Sequence, residues 1–170
     1  MTWKIMGALL VIAASGGFGF SLAAAYQHSE NSLRQLLRGI EFMICELEFR
    51  QTPLPELCRM AGSEAGGQVG KVFFTLAEEL ENQLVADAGT CMAAVVQGFG
   101  NLPVRTERNL LQLGHTLGRF ALSGQVSGFR SAAALCRRDL ESMAMDKDVR
   151  LRSYRTLGIC CGVALAILFL

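Results

Sequence analysis

The 170-residue chain contains no CxxC pair and no HExxH pair, and its only histidines are His28 and His115, far apart in sequence. Neither a dithiol redox pair nor a zinc site is legible in it, and no cofactor is expected. Charge is scarce as well: 18% of residues are charged, and 16 basic against 15 acidic side chains leave a net charge of +1. That excludes a bulk basic field for a nucleic-acid backbone, and aromatics at 8% supply no row of stacking platforms. The three prolines, Pro53, Pro55 and Pro103, are the main breaks in a chain without a convincing run of β-alternation.

What the chain has instead is apolar length. Hydrophobic residues make up 51% of it, and all 15 acids lie between Glu30 and Asp148. The stretch from Ile5 to Tyr26 is uncharged, and as a helix it would be about 33 Å long, enough to cross a hydrocarbon core of roughly 30 Å. A cleaved signal peptide is the competing reading, since Lys4 precedes the run and Ala23-Ala24-Ala25 offers a small-residue site. The run exceeds the usual core of such signals, which favours an uncleaved anchor. Thr156 to Leu170 is also uncharged and, at about 22 Å, suits a short C-terminal span that starts beside Tyr154 and Arg155. A buried soluble helix is the alternative, but a helix apolar on every side has little core to hide in at the end of a small chain. Gly158 and Gly162 make a GxxxG spacing, and Ser15 with Gly19 a small-xxx-small pair, both suited to close packing of membrane helices.

Arg34 and Arg38 follow the first span, and Lys147, Arg150, Arg152 and Arg155 precede the second, against Lys4 alone on the far side. The positive-inside rule then puts the middle domain in the cytoplasm. The expected organisation is an N-terminal transmembrane segment over 1–27, a cytoplasmic helical bundle over 28–153 and a C-terminal transmembrane segment over 154–170.

The middle is read as all-α, with about five or six helices. Leu33, Leu36, Leu37, Ile40, Met43, Ile44 and Leu47 recur at helical spacing, as do Phe73, Leu76, Leu80 and Leu84, and Leu110, Leu113, Leu117 and Phe120. A last helix is expected from near Ser127 through Phe129, Ala133, Cys136, Leu140 and Met143 into the terminal span. Thr52 is placed to cap a short helix running from Pro53 to about Ala61. Gly62 to Gly67 reads as a flexible connection, and Gly100 to Pro103 as a second break. Residues 30–87 carry 10 acids and 5 bases, whereas residues 101–155 carry 10 bases and 5 acids. Two readings stay open: solvated faces that attract each other, or opposite patches offered to copies of the chain and to other subunits.

No catalytic constellation emerges, and no small-molecule substrate is expected. Gly67-Gln68-Val69-Gly70-Lys71-Val72 has the look of a phosphate loop, but Ala65 stands where it needs glycine and Val72 where it needs Ser or Thr. Glu78, Glu79 and Glu81, like Glu41, Glu46 and Glu48, fall between stripe positions and read as wet helix faces, with Glu46 and Arg50 an i,i+4 pair. Cys45, Cys58 and Cys136 are read as packing residues, with Cys91 undecided. A thiol enzyme using Cys136 or Cys58 is the contrary hypothesis, and it demands an accessible thiol of low pKa.

The order of pieces is distinctive: a leading span, then Glu46 to Gln51 running into Thr52-Pro53-Leu54-Pro55-Glu56, the paired Leu113-Gly114 and Leu117-Gly118, Gln125, and Tyr154-Arg155-Thr156-Leu157-Gly158 entering the tail. In this the chain resembles the stage III sporulation protein AB family over nearly its whole length. The resemblance implies a mother-cell membrane component of the channel joining mother cell and engulfed forespore. It also implies a cytoplasmic domain similar to the helical platforms of type II secretion and type IV pilus systems. A non-enzymatic scaffold is implied, working with the other proteins of the same channel, including an ATPase-like member. The chain departs from the family pattern at Ala121 to Gly124, where relatives carry an acidic turn. A generic two-span adaptor whose helical domain binds a soluble protein is the alternative.

Overall fold

The computed structural model describes residues 2–50, 52–82, 87–117 and 124–146, with side chains from residue 24 onward. Among these residues there are six helices and no strand: α1 Thr2–Phe49, α2 Leu54–Ala65, α3 Gly67–Glu81, α4 Ala88–Gly98, α5 Val104–Thr116, and α6 over 124–146.

Helix α1 runs for 48 residues, about 72 Å at 1.5 Å per residue, and contains no proline, the first being Pro53. Its apolar start and its bundle stripe therefore belong to one rod. Leu33, Leu36, Ile40, Met43 and Leu47 are buried along it, as their spacing predicts, with Leu37 and Ile44 half-buried beside them. Cys45 is a correction: it lies two residues from Met43 and two from Leu47, so the helix turns it to the outside, where it is exposed.

The prolines end α1 and start α2. Pro53 stands at the N-cap and Pro55 in the first turn, where a missing N–H costs nothing. Thr52 does not cap. Its hydroxyl donates to the Glu46 carboxylate at 3.3 Å instead, because Pro53 occupies the capping position. Nor does α2 stop at Ala61, and Gly62 to Ala65 are not a loose connection. The helix continues to Ala65, and Gly66 alone, at φ +68°, joins it to α3. Gly62 is spent on packing: a Cβ built on Gly70 would lie 2.5 Å from the Gly62 carbonyl oxygen, so the α2–α3 hairpin closes backbone to backbone. Gly67, at φ +57°, sits against the Gln35 side chain, which places this turn beside the middle of α1.

Three seams set the remaining directions. Gly114 of α5 packs on Met92 of α4, where a Cβ would come within 2.6 Å of the Met92 Cβ. Arg105 lies against Ser142, Asn109 against Asp139 and Thr116 against Gly128, so α5 and α6 are antiparallel. Glu48 pairs with Arg130, Glu41 with Arg137 and Tyr26 with Met143, so α6 also runs antiparallel to α1. Phe73 and Phe129 are the largest side chains in a core built around Leu36, Ile40, Leu57, Leu76, Leu110 and Leu113.

Candidate interaction surface

Because α1 and α6 are antiparallel, the Tyr26 turn of α1 and the last described turn of α6 lie at the same end of the bundle. The Tyr26 hydroxyl donates to the main-chain carbonyl of Met143, so the close of the uncharged run meets the last described turn of α6. The opposite end carries Phe49, which is 80% exposed, and the start of α2 with Pro53 and Glu56 on the surface.

The sequence motifs fall on structural joints. Thr52, Pro53, Leu54, Pro55 and Glu56 form the α1–α2 corner, with Glu56 in the first turn of α2 facing its N-terminal dipole. Leu113, Gly114 and Leu117 are buried at the end of α5, and Gln125 is half-buried in the first turn of α6. These pieces lie on the same half of the bundle but do not converge on one pocket. Leu84, Gly118, Phe120, the Ala121 to Gly124 departure up to residue 123, and Tyr154, Arg155, Gly158 and Gly162 lie outside the described residues.

The wet faces are more engaged than expected. Glu41 and Glu48 pair with Arg137 and Arg130 across the α1–α6 seam, and Glu81 pairs with Arg59 at 2.8 Å across the α2–α3 hairpin. Glu46 and Arg50 form their i,i+4 contact at 3.8 Å. Attraction between the acidic first part and the basic last part is therefore satisfied, in part, inside the chain.

One polar cluster had no sequence signal. The carboxylate of Asp139 accepts from Asn109 at 2.9 Å and from Arg108 at 3.1 Å, and lies 3.8 Å from Arg105, whose guanidinium donates to Ser142 at 2.7 Å. Asn109 is buried, so Asp139 supplies the partner that its amide needs. About thirty residues separate the two in sequence, and only the antiparallel α5–α6 packing brings them together.

Among the described residues no group of three or more His, Cys, Asp or Glu side chains could hold a metal ion. Burial pushes the Cys58 thiol up to about 12, and burial followed by the charge of Asp139 pushes Cys136 up to about 12 as well. Cys91, left undecided by sequence, is buried, and burial followed by Glu79 and Asp87 raises it too. Thiols so placed are protonated and enclosed, the reverse of a reactive nucleophile. The Gly67 to Val72 segment is the start of α3, with Val69, Gly70 and Val72 buried. A cavity of about 190 Å³ opens between Gln68 and the Gly98 to Leu102 connection. Among the residues whose side chains are described, which begin at residue 24 and so leave out most of the Ile5 to Tyr26 run, no helix is long and apolar enough to cross a membrane.

The sequence pattern of the stage III sporulation protein AB family matches residues 4–170. A solved structure of stage III sporulation protein AB (SpoIIIAB) is similar in fold, with a TM-score of 0.63 and 17% sequence identity over 72% of this chain and 98% of that one. No curated protein sequence matches.

Proposed function

The chain belongs to the stage III sporulation protein AB family, and from that premise we propose that it is a non-enzymatic platform of the channel between mother cell and forespore. It sits in the mother-cell membrane around the forespore, with the bundle in the cytoplasm. Ile5 to Tyr26 and the tail from Tyr154 to Leu170 are its two spans, with Gly158 and Gly162 on the surface where they pack together. Its partners are the other proteins of the channel, including the secretion-type ATPase-like member, and further copies of itself.

The observation that carries the reading is the shared end of α1 and α6. Two apolar segments attached there enter one bilayer face side by side, and the 48-residue rod of α1 joins span and bundle without a hinge proline. The opposite end, with exposed Phe49 and Glu56, is then furthest from the lipid and open to a soluble partner. A scaffold needs rigid transmission and docking area, which the unbroken α1 and the exposed far end supply.

The test is deletion of the gene in its host, with heat-resistant spores counted and a tagged copy followed through sporulation. The expected result is a block after engulfment, with the tag at the mother-cell membrane around the forespore. Normal spore counts would overturn the assignment and leave the two-span adaptor. Introduced cysteines before Met1 and after Leu170 test the topology: both termini should react with an impermeant reagent from the side opposite the bundle.

A further inference from the structure

Four large apolar side chains are exposed among the described residues, and two of them share one end of the bundle. Val104, 79% exposed, opens α5, and Met145, 72% exposed, lies in the last described turn of α6. Arg105 lies against Ser142 and Asn109 against Asp139 in the antiparallel α5–α6 pair. Val104 is therefore level with Met143, and Met145 stands about 3 Å further out at 1.5 Å per residue. The main-chain carbonyl of Met143 accepts from Tyr26, which brings the close of the uncharged Ile5 to Tyr26 run to the same level. The other two exposed side chains lie elsewhere: Phe49 ends α1 at the far end, and Phe74 lies on α3 against Gly62.

The surface leading to Val104 is uncharged as well. From Ala88 to Val104 the sequence holds no Asp, Glu, Lys or Arg, and its last exposed positions are Gln97, Gly98, Gly100, Asn101 and Val104. The other bundle helices all turn charge outward: Arg34 on α1, Glu64 on α2, Lys71 on α3, Arg108 on α5 and Arg137 on α6. An uncharged helix end with protruding apolar side chains suits a membrane interface, where apolar groups enter about 5–10 Å into the headgroup and acyl boundary and tyrosine is favoured. We propose that this end of the bundle rests on the bilayer, with Val104 and Met145 inserted into the interface beside Tyr26. The inference rests on the reading of Ile5 to Tyr26 as a span and adds a contact of the bundle itself with the same bilayer. Continuity selects lipid as the occupant: α1 passes unbroken from the bundle into the uncharged run at this end, so the bilayer that takes the run lies against Val104 and Met145. Contacts from α1, α5 and α6 together fix the tilt of the bundle on the membrane, which a single rod does not.

Tryptophan fluorescence tests the contact. The sequence has one tryptophan, Trp3, and Trp3→Phe clears the background in the full-length chain. Into it go Val104→Trp, Met145→Trp, Phe49→Trp at the far end, or Phe18→Trp within the uncharged run, one at a time. The bundle positions are exposed, so these replacements leave the core untouched. Each chain is reconstituted in phosphatidylcholine vesicles whose acyl chains carry bromine either near the headgroup or near the chain end. Val104→Trp and Met145→Trp should emit to the blue of Phe49→Trp and be quenched at least about twofold by bromine near the headgroup, with Phe49→Trp unquenched. Quenching of Phe18→Trp by the deep bromines, with positions 104 and 145 no more quenched than 49, would overturn the contact and keep the span. No quenching at 18, 104 or 145 would overturn both. Blue emission at 104 and 145 without quenching would give this surface to protein, a second copy or the chain after Asp146, and overturn the lipid contact.

Discussion

The hydroxyl of Tyr26 donates to the main-chain carbonyl of Met143, joining two residues 117 positions apart at one end of the bundle. This contact decides the geometry of the ends: it holds the last described turn of α6 beside the first bundle turn of α1. Tyr26→Phe removes the donor and keeps the ring. A net loss of about 0.5–1.5 kcal/mol is expected in denaturant unfolding, with faster amide exchange confined to the last turns of α6. An unchanged exchange pattern would show that other contacts set that end.

Gly70 tests the backbone contact in the α2–α3 hairpin. A methyl group there meets the Gly62 carbonyl oxygen at 2.5 Å, and neither backbone can step aside without moving a helix. Gly70→Ala should cost about 1–3 kcal/mol, as overpacking does. Gly66→Ala is the comparison: it meets nothing within 4 Å and suffers only from its positive φ, at about 1–2 kcal/mol. Thermal melts of the two variants separate steric closure from backbone strain, and Gly114→Ala, which meets the Met92 Cβ at 2.6 Å, an atom held by its own helix backbone, should cost about 1–3 kcal/mol like Gly70→Ala.

Those glycines also show where sequence reading stops. The stripes on α1, α3 and α5 were legible because large apolar residues recur every three or four positions between charged ones. Helix α4 escaped, since Ala88 to Gly98 contains no charged residue and its two faces differ too little to mark an inside. Gly62 and Gly66 look alike as letters, yet one is a packing surface and the other a turn, and only the partner helix distinguishes them. Asp139 carries no signal of its own in the sequence, since its partner Asn109 comes from α5, about thirty residues away. The family motifs were legible as order, but what they do in the fold, cornering at Pro53 and packing at Gly114, is tertiary information.

The Cys58 thiol makes a prediction about alkaline stability. Its pKa is raised from 9.0 to about 12 by burial, so the folded chain holds this proton more tightly than the unfolded chain does. The stability it contributes is fully present below pH 9 and is lost as pH rises from there toward 12. Unfolding midpoints should therefore fall across that window, and Cys58→Ala should flatten the fall while costing some packing at every pH. An alkaline limb identical in both proteins would assign the loss to other groups.

Asp139 and Glu48 both hold arginines of the α5–α6 and α1–α6 seams, but their surroundings differ. Glu48 is an exposed residue whose side chain retains 35% of its accessibility, and Glu48→Gln should change stability by less than about 1 kcal/mol, within the range for surface pairs. Asp139 is 17% accessible at its side chain and is the acceptor for the buried Asn109 amide. Asp139→Ala leaves that amide without its acceptor and removes the charge facing Arg105 and Arg108, which should cost about 1–3 kcal/mol. Adding Asn109→Leu to Asp139→Ala removes the stranded polar group and should recover part of the loss. The double-mutant cycle measures the coupling directly, and a coupling near zero would place the value of Asp139 in its arginines alone.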